Sequence, residues 1–275
     1  MTNKIEWQGR VGQTWAAEWR RTDRSFTGLT DVLLGRASTP GFRRALDVGC
    51  GAGELSLALA RGHASAQVVG VDVSPELVEA AQGRGSHLPN VAFHCADAAG
   101  WQDADFVPDL IVSRHGVMFF DDPVRAFAHL ARTAEAGARL VFSCFRELAD
   151  NSWAQRPVAL LPNGAVPQTD PLAPGPFAFA DPRRIERVLG AAGWMQVHCE
   201  PADFAFVLGM GDDAVDDALS YLLAIGPAAR AARELAEPER AAFVDRLRGL
   251  LAAQDEQGLV AMRAGAWIVT ARSGN

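Results

Sequence analysis

The chain has 275 residues and a mass of 29.4 kDa, with 49% hydrophobic and 21% charged residues and a mean hydropathy of +0.01, which excludes a disordered chain and leaves room for one sizeable core. A formal charge of -7 and a pI near 5.4 disfavour a nucleic-acid partner, because affinity for a phosphate backbone depends on clustered Lys and Arg. No apolar run approaches the roughly 20 residues that span a bilayer, and the opening MTNKIEWQGRVGQTW lacks the charged-then-apolar pattern of a secretory signal, so a cytoplasmic protein without membrane contact is expected.

In chain order, a Trp-containing segment from Trp7 to Leu34 reads as helical. Apolar strand-like runs follow at Ala45 to Val48, Gln67 to Val71, Val91 to Cys95, Asp109 to Ser113 and Arg139 to Phe145. Between them Glu54 to Arg61, Pro75 to Gln82 and Val124 to Ala134 carry apolar residues three and four apart, as an amphipathic helix does. That alternation predicts an α/β fold with a mostly parallel sheet covered on both faces.

Two stretches break the rhythm. Asn151 to Phe179 holds Pro157, Pro162, Pro167, Pro171, Pro174 and Pro176, too many for a helix interior or a central strand, and is expected to be a surface lid or loop. Asp212 to Gln257, rich in Ala, Leu, Arg and Glu, reads as two or three inserted helices. Alternating runs at Gln196 to Leu208 and Ala266 to Ala271 flank it, and the two late strands suggest an antiparallel pair at one sheet edge, seven strands in all. A single domain over 1–275 is expected, its core at about 36–146 and 181–208 plus 264–272, with lid insertions at about 147–180 and 210–258.

The four cysteines, Cys50, Cys95, Cys144 and Cys199, show no zinc-type spacing and read as small core residues in a reducing compartment; no metal is expected. Arg183, Arg184 and Arg187, and later Arg230 and Arg233, fall at helical spacings and read as solvated helix faces.

The strongest signal is ALDVGCGAGEL, an apolar strand that runs into alternating glycines and then a helix. Glycines there let backbone approach a ligand closely, with the helix N-terminus pointing at it. A dinucleotide fingerprint would need glycine where Glu54 stands, and a P-loop would need Gly-Lys-Ser/Thr, so both phosphate-binding readings are weakened. Asp72 closes the second strand, where ribose hydroxyls can donate to a carboxylate. Asp97 closes the third, where a carboxylate can accept from an adenine amino group.

The segments LDVGCGAGELSLALA, VVGVDVSPELVEAAQ, HCADAA, DLIVSRHGVMFFDDP and Ala136 to Phe145 resemble the successive motifs of class I S-adenosylmethionine-dependent methyltransferases. The Trp-rich N-terminus, NSWAQRP, PGPFAFADPRRIERVL and the closing AWIVTAR extend the resemblance toward a bacterial subgroup that methylates small molecules or is uncharacterised. It implies a doubly wound, Rossmann-like fold that uses S-adenosylmethionine, releases S-adenosylhomocysteine and acts on a small-molecule acceptor through O, N or C. By motif, it places Asp47, Gly49, Cys50, Gly51 and Gly53 around the methionine and ribose, Asp72 on the ribose hydroxyls and Val73 against the adenine. It places Asp97 and the Ala98 backbone on the adenine edge, with Ser113 and Arg114 beside the sulfonium. Ala136-Gly137-Ala138 departs from the family's common Pro-Gly-Gly and is expected to affect local rigidity more than chemistry.

Methyl transfer is an in-line displacement that depends on holding two partners in a water-poor pocket. His115, after the fourth strand, is the candidate general base; the competing reading is a histidine that only bonds a neighbouring loop. Trp15, Trp19, Trp153, Phe119, Phe177 and Phe179 form the candidate aromatic wall, Trp15 and Trp153 foremost, with core packing the competing and favoured reading for most of the set; Trp15 is also a candidate cofactor contact. Two other functions stay open: a non-catalytic fold relative that binds the cofactor, and an NAD-type oxidoreductase. The second is disfavoured by Glu54 and by a single tyrosine, Tyr221. SRHG, rather than Asn/Asp-Pro-Pro-Tyr, after the fourth strand lowers the odds for DNA adenine or protein glutamine methylation.

Overall fold

A computed structural model describes residues 4–162 and 172–274. Three helices lead the chain: α1 (Lys4–Trp7), α2 (Arg10–Ala17) and α3 (Trp19–Ser38). The alternating part then runs β1 (Arg44–Val48), α4 (Glu54–Gly62), β2 (Gln67–Asp72), α5 (Pro75–Gly85), β3 (Val91–Cys95), β4 (Leu110–Arg114), α6 (Pro123–Thr133) and β5 (Arg139–Phe145). After it come α7 (Ser152–Ala159), α8 (Pro182–Ala191), β6 (Trp194–Met210), α9 (Ala214–Ala224), α10 (Gly226–Ala232), α11 (Glu237–Ala252) and β7 (Leu259–Ser273).

The seven strands lie in the order β3-β2-β1-β4-β5-β7-β6. β1 to β5 are parallel, and β7 pairs antiparallel with both β5 and β6, as the late alternating runs suggested. The order reverses beside β1, so the crevice for a ligand opens at the C-terminal ends of β1 and β4.

Local sequence explains most boundaries. Ser74, Asp122 and Asp181 each accept from a backbone N–H at the start of α5, α6 and α8, and each is followed by proline, whose fixed φ and missing N–H suit a first helical position. Along α3 the buried residues Thr22, Ser25, Phe26, Leu29, Thr30, Leu33 and Ala37 recur three and four apart, so one face packs against the sheet. Leu29 and Leu33 are wholly buried, worth about 1.5–3 kcal/mol each. Gly137 holds φ +70 in the turn before β5, so the left-handed position of that turn keeps its glycine although its neighbours are alanines.

The late strands are longer than their alternation showed. A bulge between Met195 and His198, with Gln196 at φ +54, breaks the period at the start of β6. β7 is an internal strand, buried on both faces over most of its length, so its pattern is nearly continuous rather than alternating. The proline-rich stretch after β5 requires a correction: a helix forms over Ser152–Ala159 with Pro157 inside it. Asn151, wholly buried, holds that segment, donating from Nδ2 to the carbonyls of Arg146, Glu147 and Gly265 while its Oδ1 accepts from Gly265 N and Trp153 Nε1. This network, in which two amide hydrogens are shared among three carbonyls, outweighs the one helix bond lost to proline. Pro167 and Pro171 lie outside the described residues. The second insertion forms three helices, α9 to α11, within the range read from composition. Among the described residues no helix is long and apolar enough to cross a membrane.

Candidate active site

A cavity of about 500 Å³ opens at the switch point, within the usual range for small-ligand sites. Its floor is the loop after β1. Gly49 and Gly51 take φ +65 and +54 there, a left-handed pair that side chains rarely adopt. A Cβ on Gly49 would stand 2.8 Å from Gly116 Cα, so the tips of β1 and β4 meet backbone to backbone. A Cβ on Gly51 would meet nothing within 4 Å and would project into open space beside the cavity.

Asp47 lines this floor, 1% exposed; its Oδ2 accepts from Ser56 Oγ at 2.6 Å, and its Oδ1 is buried with no partner. Burial raises its carboxyl to about 6 against the opposing bond from Ser56 and the charge of Arg114. Asp72, at the tip of β2, accepts from Gly51 N and Ser74 N at 2.9 Å each. Its carboxyl is raised by burial more than these two donors lower it. Cys50 lines the floor as a thiol, because burial and the nearby carboxylates push its ionisation up.

Val73, Asp97 and Ala98 line the adjoining wall. Asp97 is bonded from Ala99 N at 2.9 Å, and Lys4 Nζ stands 2.9 Å from its Oδ2. Against partial burial, these two donors hold the carboxyl below its ordinary range. Two expected contacts do not reach the cavity. Gly53, at φ +88, packs against Ala81 and Phe93 and lets α4 lie close to α5 and β3. Ser113, wholly buried, donates to Val48 O at 2.6 Å and accepts from Gly116 N, which locks the β4 tip against β1.

Arg114 lines the cavity with its guanidinium bonded to Thr30 Oγ1 and Asp23 Oδ1. Asp23 also pairs with Arg84, which pairs with Glu54 and lies 3.8 Å over the Trp19 ring. Burial raises the Asp23 carboxyl, while Glu54 is lowered by its bond with Asp23 and by Arg84 despite its own burial. Helical spacing alone had no means of marking Asp23, because its partners come from α5 and β4.

His115 follows directly at φ +62, an uncommon backbone state for a non-glycine residue that stores strain of about 1–3 kcal/mol. Its Nδ1 lies 2.8 Å from Ser143 Oγ, and its Nε2 is buried with no partner. Burial, assisted by Arg114, drives its pKa well below 6.5, so the ring is neutral near neutral pH. Rings close around it: Phe145 at 4.1 Å and Phe26 at 5.1 Å between centroids, with Trp153 stacked on Phe206 at 4.5 Å behind them.

Of the expected aromatic wall, Trp15, Trp19, Phe119 and Trp153 line the cavity. Phe179, 2% exposed, instead packs beneath the sheet with Phe127 and Phe142, and Phe177 stands behind Phe145. Phe26, Phe145 and Phe206 replace them. The signal for Phe26 was present in the apolar period of α3, but Phe206 looked like any strand residue. Lys4, Trp7 and Trp15 close the mouth from the N-terminal segment, Trp7 standing 5.6 Å from Trp15 and 5.1 Å from Phe119. Tyr221 is wholly buried with its hydroxyl near Thr22 Oγ1 and does not line the cavity. Among the described residues no cluster of His, Cys, Asp or Glu could hold a metal ion.

A seven-stranded, mostly parallel sheet with an antiparallel edge pair and a glycine-lined crevice at its switch point is the Rossmann-like fold of the methyltransferases. Residues 45–137 match the methyltransferase domain family. Trans-aconitate 2-methyltransferase of Methylobacterium radiotolerans is 38% identical over 90 residues, which is 33% of this chain and 33% of that relative. The chain thus aligns with about a third of that relative's length. Phosphoethanolamine N-methyltransferase 2 of Haemonchus contortus, solved with S-adenosyl-L-methionine, superposes with a TM-score of 0.55 at 15% identity over 95% of this chain and 57% of that one. The [4+2]-cyclase SpnF superposes at 0.52 and 21% identity over 89% and 80%. Over residues 45–137 the chain is similar to methyltransferases, and the cofactor that these likenesses support is S-adenosylmethionine.

The residues present fit that cofactor. The unpartnered Asp47 Oδ1 is an acceptor for a cationic amino group, Asp72 and Asp97 are acceptors for hydroxyl and amino donors, and the open side of Gly51 leaves space for the ligand's backbone contacts.

Proposed function

We propose that this protein transfers the methyl group of S-adenosylmethionine to a small-molecule acceptor held between Trp153, Phe145 and Phe26, with His115 as the group that meets the acceptor's proton. The observation that carries the proposal is continuity: the glycine-lined floor and the aromatic chamber around His115 are parts of one cavity. When bound, the cofactor supplies an activated methyl on a sulfonium. Asp47, Gly49, Cys50 and Gly51 hold its amino-acid and ribose part, Asp72 its ribose hydroxyls, and Val73, Asp97 and Ala98 its adenine. Gly53 and Ser113 support these contacts from behind, and Trp15 covers them.

The rest of the chain's work is exclusion and alignment. The N-terminal segment covers the mouth through Lys4 on Asp97 and Trp7 on Phe119, keeping water from the reacting groups. Arg114, fixed by Asp23 and Thr30, keeps positive charge beside the acceptor chamber. The net charge of -7 supports a small molecule rather than a nucleic acid, and the free cysteines agree with a cytoplasmic, reducing setting.

Calorimetric titration with S-adenosylmethionine, S-adenosylhomocysteine and NAD tests the cofactor reading. Both sulfur ligands should bind in the micromolar range, NAD should not bind, and Asp72→Ala should remove most of the affinity while far-UV circular dichroism stays unchanged. Methyl turnover with candidate acceptors then separates an enzyme from a binding module; NAD binding, or none by the sulfur ligands, would overturn the reading.

A further inference from the structure

The acceptor chamber has a definite chemistry. Phe26, Phe145, Trp153 and Phe206 are each no more than 6% exposed and come from α3, β5, α7 and β6. Trp153 and Phe206 are stacked in nearly parallel planes, at 15° and 4.5 Å, and Phe26 meets Phe206 edge-on at 5.1 Å. Such flat, rigid walls favour a flat apolar occupant. Gly226, at φ +90 and a Cβ's reach of 3.4 Å from the Trp153 ring, brings the start of α10 against the stack and fixes its position.

Into this apolar setting the chain places His115, whose Nε2 is the nitrogen Ser143 leaves unengaged. What supports that imidazole decides which protons it can take. A carboxylate on Nδ1 would stabilise an imidazolium, but Ser143 is neutral. Arg114, itself paired with Asp23 Oδ1 at 3.1 Å, adds to burial in disfavouring a cation on the ring. His115 is therefore a weak base in an apolar chamber, with one ring nitrogen held by a neutral hydroxyl and the other without a partner. It is matched to a hydroxyl that is already acidic, since a weak base takes a proton readily only from a donor of comparable acidity.

We infer that the acceptor is a flat, apolar phenol or enol, methylated on its oxygen, with the hydroxyl on His115 Nε2 and Ser143 as the positioning residue that fixes the ring. This rests on the methyltransferase reading above and deepens it. In the balanced step the acceptor O–H proton passes to His115 Nε2, the oxygen forms a bond to the methyl carbon, and the carbon–sulfur pair leaves with sulfur. S-adenosylhomocysteine and the methyl ether are the products, and the proton goes to solvent when the mouth opens.

The test is binding, not turnover. Protein saturated with S-adenosylhomocysteine is titrated by calorimetry with a naphthol, with the corresponding naphthalenemethanol, and with trans-aconitate; absorbance follows naphthol ionisation in the same samples. The naphthol should bind at least about tenfold tighter than the naphthalenemethanol, with its ionisation shifted to lower pH, and trans-aconitate should bind weakest of the three. His115→Asn, a residue that tolerates the left-handed backbone, should remove the naphthol preference and leave S-adenosylhomocysteine affinity within about twofold. Ser143→Ala should reduce the preference and the ionisation shift together. Equal binding of the two aromatic alcohols, absence of naphthol binding, tighter trans-aconitate binding, or an undiminished preference in His115→Asn would overturn the inference. Failure of S-adenosylhomocysteine itself to bind would instead overturn the methyltransferase reading.

Discussion

Replacing Asp47 with Asn should make the ligand-free protein more stable while disabling it. The carboxyl is wholly buried, and its pKa rises from 3.8 in the unfolded chain to about 6 in the folded one. Between those values the folded state holds more protons than the unfolded state, so stability falls as pH rises through the window and levels off above it. At about 1.4 kcal/mol per unit, the ionised side chain costs the ligand-free fold about 3 kcal/mol at neutral pH. Asparagine keeps the shape and an oxygen for Ser56 without the charge. Urea denaturation of ligand-free protein should therefore give Asp47→Asn an advantage of about 2–3 kcal/mol near neutrality, shrinking to nearly nothing as pH falls toward 3.8. S-adenosylhomocysteine should stabilise the wild type and leave the variant unmoved. A stability difference that does not vary with pH, or a variant less stable than wild type at neutral pH, would refute the reasoning.

Gly49→Ala places a side chain at φ +65 and 2.8 Å from Gly116 Cα, so it should lose about 2 kcal/mol or more in urea denaturation and bind no cofactor. Gly12→Ala drives a Cβ to 2.2 Å from Trp7 O and Ser74 Oγ, which must lift the N-terminal cover; stopped-flow dissociation of S-adenosylhomocysteine should accelerate at least about tenfold, and an unchanged rate would show that the cover does not gate release. Trp153→Ala should cost about 3–5 kcal/mol in stability and abolish acceptor binding, while the folded fraction retains cofactor affinity. The low pKa of His115 keeps its ring neutral below 6.5, so kcat/KM should show no acidic limb from this residue near that value. The same burial means that stability declines as pH falls below 6.5, because the unfolded chain takes up the proton that the folded one refuses.

The cofactor side was legible because its chemistry is local. The glycines after β1, Asp72 and Asp97 sit at strand tips within one alternating stretch, where period and punctuation reveal position. The chamber around His115 was legible only in part: His115 and Trp153 were marked and line the cavity, but the rest is assembled across the chain. Phe26 belongs to a helix face that reads as core, Phe206 to an edge strand whose start is blurred by a bulge, and Trp153 to a helix that proline content argued against. Ser113 and Gly53 show the opposite failure: they sit in the right motifs, yet their side of the backbone faces β1 and α5 rather than the cavity. Motif position fixes a residue's neighbourhood but not which way it faces. The family match over 45–137 falls in the legible half, which is why likeness reveals the cofactor and not the acceptor.

Arg21 and Arg24 of α3 reach Asp217 of α9 across 196 and 193 residues, and Ser25 donates to Val207 O across 182. Contacts of such sequence separation form slowly, since a long loop must close before they return anything. During synthesis the glycine-lined cradle can assemble from about residue 45 onward, and the first helices find part of their surface there, on Arg84 and Arg114, but the rest only when α9 and β6 emerge. A nascent or truncated chain would therefore present the glycine-lined floor before the aromatic chamber, whose Trp153 and Phe206 come later, and the two would be joined only with closure of the whole molecule.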